Sequence, residues 1–150
     1  MGTFTHLTLE EASELGIRYS SKIDKESGEL RARLTAAGID VSITQIPRTG
    51  WQNAHRHEHV VEVTLVVTGK VVQVEQTPAG ALLYRAYREG DTFRTQPGFA
   101  HNLFVWAGTT LSTVKLHDDP GKRDWIADPE LDAAVRDLTE EQVERRALMG

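Results

Sequence analysis

The chain has no cysteine among its 150 residues, which removes disulfide scaffolds, thiolate metal sites and cysteine nucleophiles at once. It has no apolar run approaching the roughly 18–20 residues of a membrane span. Its opening, MGTFTHLTLEE, lacks the apolar stretch of a secretory signal. A cytoplasmic protein with no membrane partner is the resulting expectation. An excess of positive charge is missing too: 17 Lys and Arg face 22 Asp and Glu, so nucleic acid, which favours a basic face, is not an expected partner. What remains is a chain with 39% hydrophobic residues. At this length it buries roughly 68–70% of its unfolded surface, enough for one domain with a core.

The charge is unevenly placed. From Asp118 to Gly150 there are ten acidic and five basic residues, which accounts for the whole net charge of −5. The rest is formally neutral. The expected organisation is an N-terminal segment over 1–39 with a short helix and a possible edge strand near Arg31. A barrel core over 40–117 follows, then an acidic helical tail over 118–150 packing on the barrel.

The body carries strand signals. The segments from Asp40, Val60, Val71, Ala81, Asp91, His101 and Thr110 are short, alternating or β-branched, and separated by Gly or Pro turns. That spacing predicts an antiparallel sandwich or barrel. Helix signals sit at the ends. Thr8 with Glu11 makes a capping box, Asp128-Pro129 starts a second helix, and Thr139 with Gln142 starts a third.

Chemistry concentrates in Asn53-Ala54-His55-Arg56-His57-Glu58-His59-Val60-Val61-Glu62. In a strand, His55 and His57 share a face at about 7 Å, which lets both rings reach one ion about 2 Å away. Histidines on strands are commonly just surface or hydrogen-bonded groups, but three in alternation before a carboxylate are harder to read that way. Strict pleating would turn Glu62 to the face opposite His57, and a bulge or bend near His59 is needed to bring it back. A second element, Gly90 to Asn102, places His101 just after the Pro97-Gly98 turn, at the start of an apolar strand.

Together these segments resemble the two motifs of the cupin superfamily. The first, G-x5-H-x-H-x3,4-E-x6-G, is matched by Gly50, His55, His57, Glu62 and Gly69, with four residues after Gly50 in place of five. The second, G-x5-P-x-G-x2-H-x3-N, is matched by Gly90, Pro97, Gly98 and His101. It has one extra residue before the proline, none between Pro97 and Gly98, and Val105 in place of the asparagine. The resemblance covers about half of the chain. It implies an all-β fold, a double-stranded β-helix (cupin, or jelly-roll) barrel with short N-terminal and C-terminal helices. It also implies one divalent metal ion per chain, held by His55, His57, Glu62 and His101, and a homodimer. His59 is left as a replacement for His55 in a shifted register, a group supporting the ligands, or a solvent-facing residue. His6 and His117 lie outside both motifs and are expected at the surface.

Three imidazoles and a carboxylate suit Fe(II), the first choice, and also Mn, Ni, Co or Zn. On a six-coordinate ion they leave two positions for a chelating substrate, or for substrate beside dioxygen. Glu62, if it swings away, is a candidate general base. Leu103 and Val105 share a face with His101, and Thr64 and Val66 share one with Glu62, so an apolar lining is expected. The substrate expected from this is a small, largely apolar molecule with chelating oxygens, and the activity a dioxygenase-type oxidation. The alternatives are non-redox Lewis-acid chemistry (isomerase, cyclase or lyase) and a non-catalytic small-molecule-binding cupin. Trp51, Tyr84, Phe93, Phe99, Phe104 and Trp106 are candidates for rim or core, and Arg94 and Gln96 for side chains reaching the cavity.

Overall fold

The computed structural model describes residues 7–117 and 124–149. Helix α1 (Leu9–Glu14) is followed by β1 (Arg18–Ile23), β2 (Leu30–Ala36), β3 (Ile39–Gln45), β4 (Gly50–Trp51) and β5 (His55–Arg56). Next come β6 (Val61–Thr68), β7 (Lys70–Gln76), β8 (Leu82–Arg88), β9 (Thr92–Thr95), β10 (His101–Val105) and β11 (Thr110–Leu116). The chain closes with β12 (Ile126–Ala127), α2 (Pro129–Val135) and α3 (Glu140–Met149). One sheet has the order β1-β2-β3-β11-β6-β9, the other β12-β5-β10-β7-β8 with β4 also on β10, and the pairings are antiparallel. The all-β fold with short terminal helices is as expected from the sequence.

The helix starts follow their capping residues. Thr8 and Glu11 cap each other reciprocally at α1. The Asp128 side chain accepts from the Leu131 N–H at α2, and Thr139 and Gln142 exchange hydrogen bonds at the start of α3. Strand β1 was not evident beforehand, because Arg-Tyr-Ser-Ser-Lys-Ile is mostly polar and every one of its residues is exposed.

Hydrophobic burial divides between two places. Ile46, Val66, Val71, Phe93, Val105 and Leu111 fill one end of the space between the sheets. A second cluster lies outside the β5-β10-β7-β8 sheet, where Val72, Val74, Tyr84 and Phe104 pack against Leu131, Val135 and Val143 of the tail helices. Strand β7 is therefore buried on both faces, which explains its unbroken Val-Val-Gln-Val run. Trp51 and Trp106 also pack on this outer cluster, and Phe93 belongs to the inner one. The tight β6–β7 turn uses Gly69 at φ +84, where a Cβ would come within 2.5 Å of Thr109 Oγ1. Only glycine fits so close an approach.

Candidate metal centre

Strand β5 is only two residues long, and the chain leaves it after Arg56 to cross from one sheet to the other before β6 begins at Val61. This crossing is the bend that the spacing of His57 and Glu62 demanded. It is held by Asp124, whose carboxylate accepts the N–H groups of Glu58, His59 and Val60 at 2.9, 2.8 and 2.9 Å. On the far side of the site, the Gly98 N–H donates to the His57 carbonyl at 2.6 Å. His55 and His101 are direct neighbours across β5 and β10. Ligand atoms of His55, His57, Glu62 and His101 all lie within 4.8 Å of one another.

Each imidazole is oriented from behind. His55 Nδ1 donates to the Asn53 carbonyl at 2.9 Å, His101 Nδ1 to the Phe99 carbonyl at 3.1 Å, and His57 Nδ1 to the Asp124 carbonyl. All three rings thereby present Nε2 to the cluster, the arrangement in which a metal-ligating histidine is held by its other nitrogen. His101 Nε2 is buried, lies 3.4 Å from Glu62 Oε2 and has no hydrogen-bond partner among the described residues. An inward-facing lone pair left without a donor is what a ligand set for a cation would show.

The electrostatics agree. Burial, reinforced by the charge of His101, pushes the His55 pKa down to about 3, so this ring is neutral at physiological pH, the form that binds metal. Burial acts to raise the Glu62 pKa. The His101 and His57 rings and the Lys115 ammonium outweigh it and hold the carboxyl well below its usual range. Glu62 also accepts from the Thr95 hydroxyl at 3.1 Å. The four residues fit a divalent cation in donor type, proximity and charge.

Lys115 is the residue that sequence reasoning missed. It stands opposite Glu62 across β11 and β6, its Nζ paired with Glu62 Oε1 and 3.4 Å from His57 Nε2. The parity of β11 with β6 was the available signal, but it required knowing that these strands pair.

A cavity of about 820 Å³ opens beside the cluster, and its lining corrects the expectation of an apolar site. Leu103, Leu111 and Phe93 are there. Most of the lining is polar: Ser42, Thr44, Thr64, Thr95 and Thr113, with Arg18, Arg31, Arg33 and Lys115. The reason is that β1, β2 and β3 extend the sheet beyond the strands bearing the motifs, and their inward positions are polar. Arg31 pairs with Glu29 at 2.6 Å and donates to Thr44, while Arg18 and Arg33 make no hydrogen bond or ion pair among the described residues, and, against burial, the Arg33 charge helps to hold the lining Asp40 carboxyl below its usual range.

Other expectations are corrected too. His117 is a lining residue whose Nε2 meets Asp40 Oδ2 at 2.9 Å, because it follows β11 directly and its N–H is held by the Gly38 carbonyl beside β3. His59 sits on the outside of the bend with an exposed side chain and takes no part in the cluster, the solvent-facing one of the three places left open to it. Arg94 and Gln96 are exposed, since Arg94 lies beside Val63 on the outer face, and Thr95 faces in instead. Trp125, in the tail, stacks on His55 with ring centroids 5.3 Å apart. His6 lies outside the described residues.

No protein-family model and no curated protein matches the sequence. Solved structures do match the fold. Oxalate decarboxylase of Bacillus subtilis aligns at a TM-score of 0.62 and 15% identity, over 97% of this chain and 40% of that one. An oxalate oxidase in complex with the substrate analogue glycolate aligns at 0.58 and 17% identity, over 85% and 75%. Both are cupin-fold proteins. The chain has the cupin fold. KdgF from Halomonas sp. aligns at 0.54 and 16% identity, over 80% of this chain and 100% of that chain. At such identities the likeness speaks for architecture, and the chemistry of this chain rests on its own residues.

Proposed function

We propose that this cupin is a metal-dependent enzyme acting on a small anionic organic molecule, with oxidation by dioxygen as the first reading of its reaction. The observation that carries it is the combination of the three-histidine, one-carboxylate cluster with a cavity lined by four cationic side chains, Arg18, Arg31, Arg33 and Lys115, against three carboxylates, Asp40, Glu62 and Asp124. His55, His57, Glu62 and His101 would hold the ion. A divalent metal there supplies Lewis acidity and, if redox-active, a route for electrons from substrate to oxidant.

The chain's own side chains supply binding and orientation. Arg18 and Arg33, on adjacent strands and facing inward, offer donors suited to a carboxylate or phosphate. The Ser42, Thr44 and Thr113 hydroxyls offer hydrogen bonds to hydroxyl or carbonyl oxygens along the cavity wall. Lys115 keeps Glu62 ionised and places an ammonium beside the position a chelating substrate would occupy. The exposed Trp125 ring stands over His55 at the mouth. That two structures of similar fold are enzymes of oxalate, a dicarboxylate, accords with an anionic substrate for this protein. The cavity has room for a larger molecule.

The position of Lys115 supports a second reading, in which the same site performs non-redox isomerisation, cyclisation or lyase chemistry, since a cation beside a carboxylate can stabilise an enolate or deliver a proton. Metal content of wild type and His57→Ala, followed by dioxygen uptake with a panel of hydroxy- and keto-acids, tests both. The expected result is one metal per wild-type chain, loss of it in His57→Ala, and oxygen consumption with at least one acid. Turnover without oxygen consumption selects the second reading, and a wild-type chain without stoichiometric metal ends the proposal.

A further inference from the structure

The inward side chains of the six-stranded sheet form rows that lead away from the metal centre. One row runs Glu62, Lys115, Asp40, Thr35 and Arg18 across β6, β11, β3, β2 and β1. The next runs Thr64, Thr113, Ser42, Arg33 and Ser20 across the same strands. The cations along this wall are not equivalent. Lys115 is committed to Glu62, and Arg31 to Glu29 and Thr44. Arg33 is half-buried and lines the cavity, yet it makes no hydrogen bond or ion pair among the described residues. Its charge is felt through space by Asp40, diagonal to it on β3. That carboxylate is already occupied, accepting from the Thr35 hydroxyl and meeting His117 Nε2 at 2.9 Å. The guanidinium fork of Arg33 is left for a ligand.

We infer that Arg33 binds the far carboxylate of an elongated substrate, a dicarboxylate of about four to six carbons whose near end lies at the metal centre. Arg33 stands three strand spacings from β6 and two residues along from the level of Glu62, about 16 Å at the backbone. Curvature of the sheet and the length of the arginine bring its guanidinium to about 8–12 Å from the cluster. A metal–oxygen bond of about 2 Å and a charge-assisted hydrogen bond of about 2.8 Å leave about 3–7 Å between the nearest oxygens of the two carboxylates. Oxalate, whose carboxylates are directly bonded, spends both in chelating an ion and has none left for Arg33. Between the two ends the wall offers the Ser42 and Thr113 hydroxyls and no charge, so the middle of the substrate is uncharged. A carboxylate suits the far end better than a phosphate. The backbone N–H groups of this wall are spent in the sheet, which leaves none to cradle a phosphate, whereas one guanidinium fork matches one carboxylate. Because the near end is anchored by the ion, Arg33 has this role only within the metal-dependent function proposed for the site.

Isothermal titration of the Zn²⁺-loaded full chain with straight-chain dicarboxylates from oxalate to suberate tests the spacing, with hexanoate as the monocarboxylate counterpart of adipate. Binding should be tightest among succinate, glutarate and adipate, and hexanoate should bind about 10-fold to 100-fold more weakly than adipate. Arg33→Gln should bring adipate down to the level of hexanoate and leave oxalate unchanged, and Arg33→Lys should recover part of the loss. Arg94→Gln, an exposed position on the outer face, should alter neither acid. Metal content of the same samples separates the two levels of failure. A chain that takes up no stoichiometric metal ends the proposed function and this role with it. A metal-loaded chain that binds none of the diacids, binds oxalate tightest, or binds hexanoate as well as adipate overturns the role of Arg33 alone. So does adipate affinity unchanged in Arg33→Gln. The length series and the hexanoate comparison are read on the wild type, so they decide the matter even if the Arg33 variants fail to fold.

Discussion

Replacing Asp124 by alanine tests whether the tail builds the metal centre. The carboxylate accepts three consecutive backbone N–H groups in the bend between His57 and Val60, and the carbonyl of the same residue orients His57. Burial opposes ionisation, yet the three donors bring its pKa down from 3.8 to about 2. A depression of that size corresponds to about 2 kcal/mol, and solvent screening of this accessible carboxylate reduces it to about 1 kcal/mol. The larger effect falls on the metal. Freed of its clamp, the bend lets the His57 ring rotate off the cluster, and loss of such a supporting contact costs about 10-fold to 100-fold in affinity. Asp124→Asn keeps one acceptor oxygen and should fall between wild type and alanine. Urea unfolding measures the first quantity, and competition for Zn²⁺ or Co²⁺ against a chromogenic chelator measures the second. The folded-state pKa is depressed, so the contribution to stability is complete above about pH 3.8 and is lost as pH falls through about 2. Wild-type metal affinity in Asp124→Ala, with stability reduced as calculated, would refute the link between the clamp and His57.

Lys115→Met removes the cation from a pair whose side chains are only 15% and 11% exposed. Breaking a buried pair costs about 3 kcal/mol, or roughly 6–12 °C in Tm for a chain of this size. The loss should be large in chelator-treated protein and small with metal bound, because the ion replaces the missing charge; equal losses in both states would count against the assignment of Glu62 to the ion. The chelator-treated protein should also weaken in mild acid. His55 has its folded pKa depressed from 6.5 to about 3, so its contribution is intact above about pH 6.5 and declines as pH falls toward 3, which urea midpoints between pH 7 and 4 would display, and a decline absent from wild type but present in His55→Gln would contradict it. Truncation after Leu116 strips the helices from Val72, Val74, Tyr84 and Phe104. With about 2 kcal/mol for each of Leu131, Val135 and Val143 set against a typical total of 5–15, the truncated chain should lose cooperative unfolding, whereas a sharp urea transition would show that the barrel stands alone.

The strands from Asp40 to Leu116 were legible because turn residues bound them and β-branched residues fill them, and the cluster was legible because His55, His57, Glu62 and His101 keep a recognisable spacing. What the sequence concealed depends on pairing. That β11 lies between β3 and β6 places Lys115 against Glu62 and His117 against Asp40, and no local pattern reports a neighbour 53 or 77 positions away. The polarity of the cavity escaped for a related reason. Alternation shows that a strand has two faces, and it was assumed that apolar means inward, but on β3 the buried positions are Asp40, Ser42 and Thr44. Strand β1 was hidden by its own composition, since an edge hairpin needs little hydrophobic content when β2 pairs its whole length.

That inversion and the acidic tail have one explanation between them. A barrel that keeps a polar, charged cavity open to its centre cannot also fill that space with hydrocarbon, so its hydrophobic burial must be found elsewhere. Part is found at the closed end of the barrel, and part beneath α2 and α3. The tail that supplies those helices also spends its acids close to the site. Asp124 clamps the bend. Asp132 accepts the Ala54 N–H at 2.7 Å and the Asn102 amide at 3.1 Å, tying together the strands that carry His55 and His101. The Asp128 carboxylate lies 3.4 Å from Arg56. The negative charge that looked like an appendage is therefore, at these three positions, fixed in hydrogen bonds and an ion pair around the cluster, where it holds the segments that bear the ligands. The same logic leaves one apolar face uncovered among the described residues, the outer side of β2-β3-β11-β6, because the inward positions of those strands are given to the polar cavity wall.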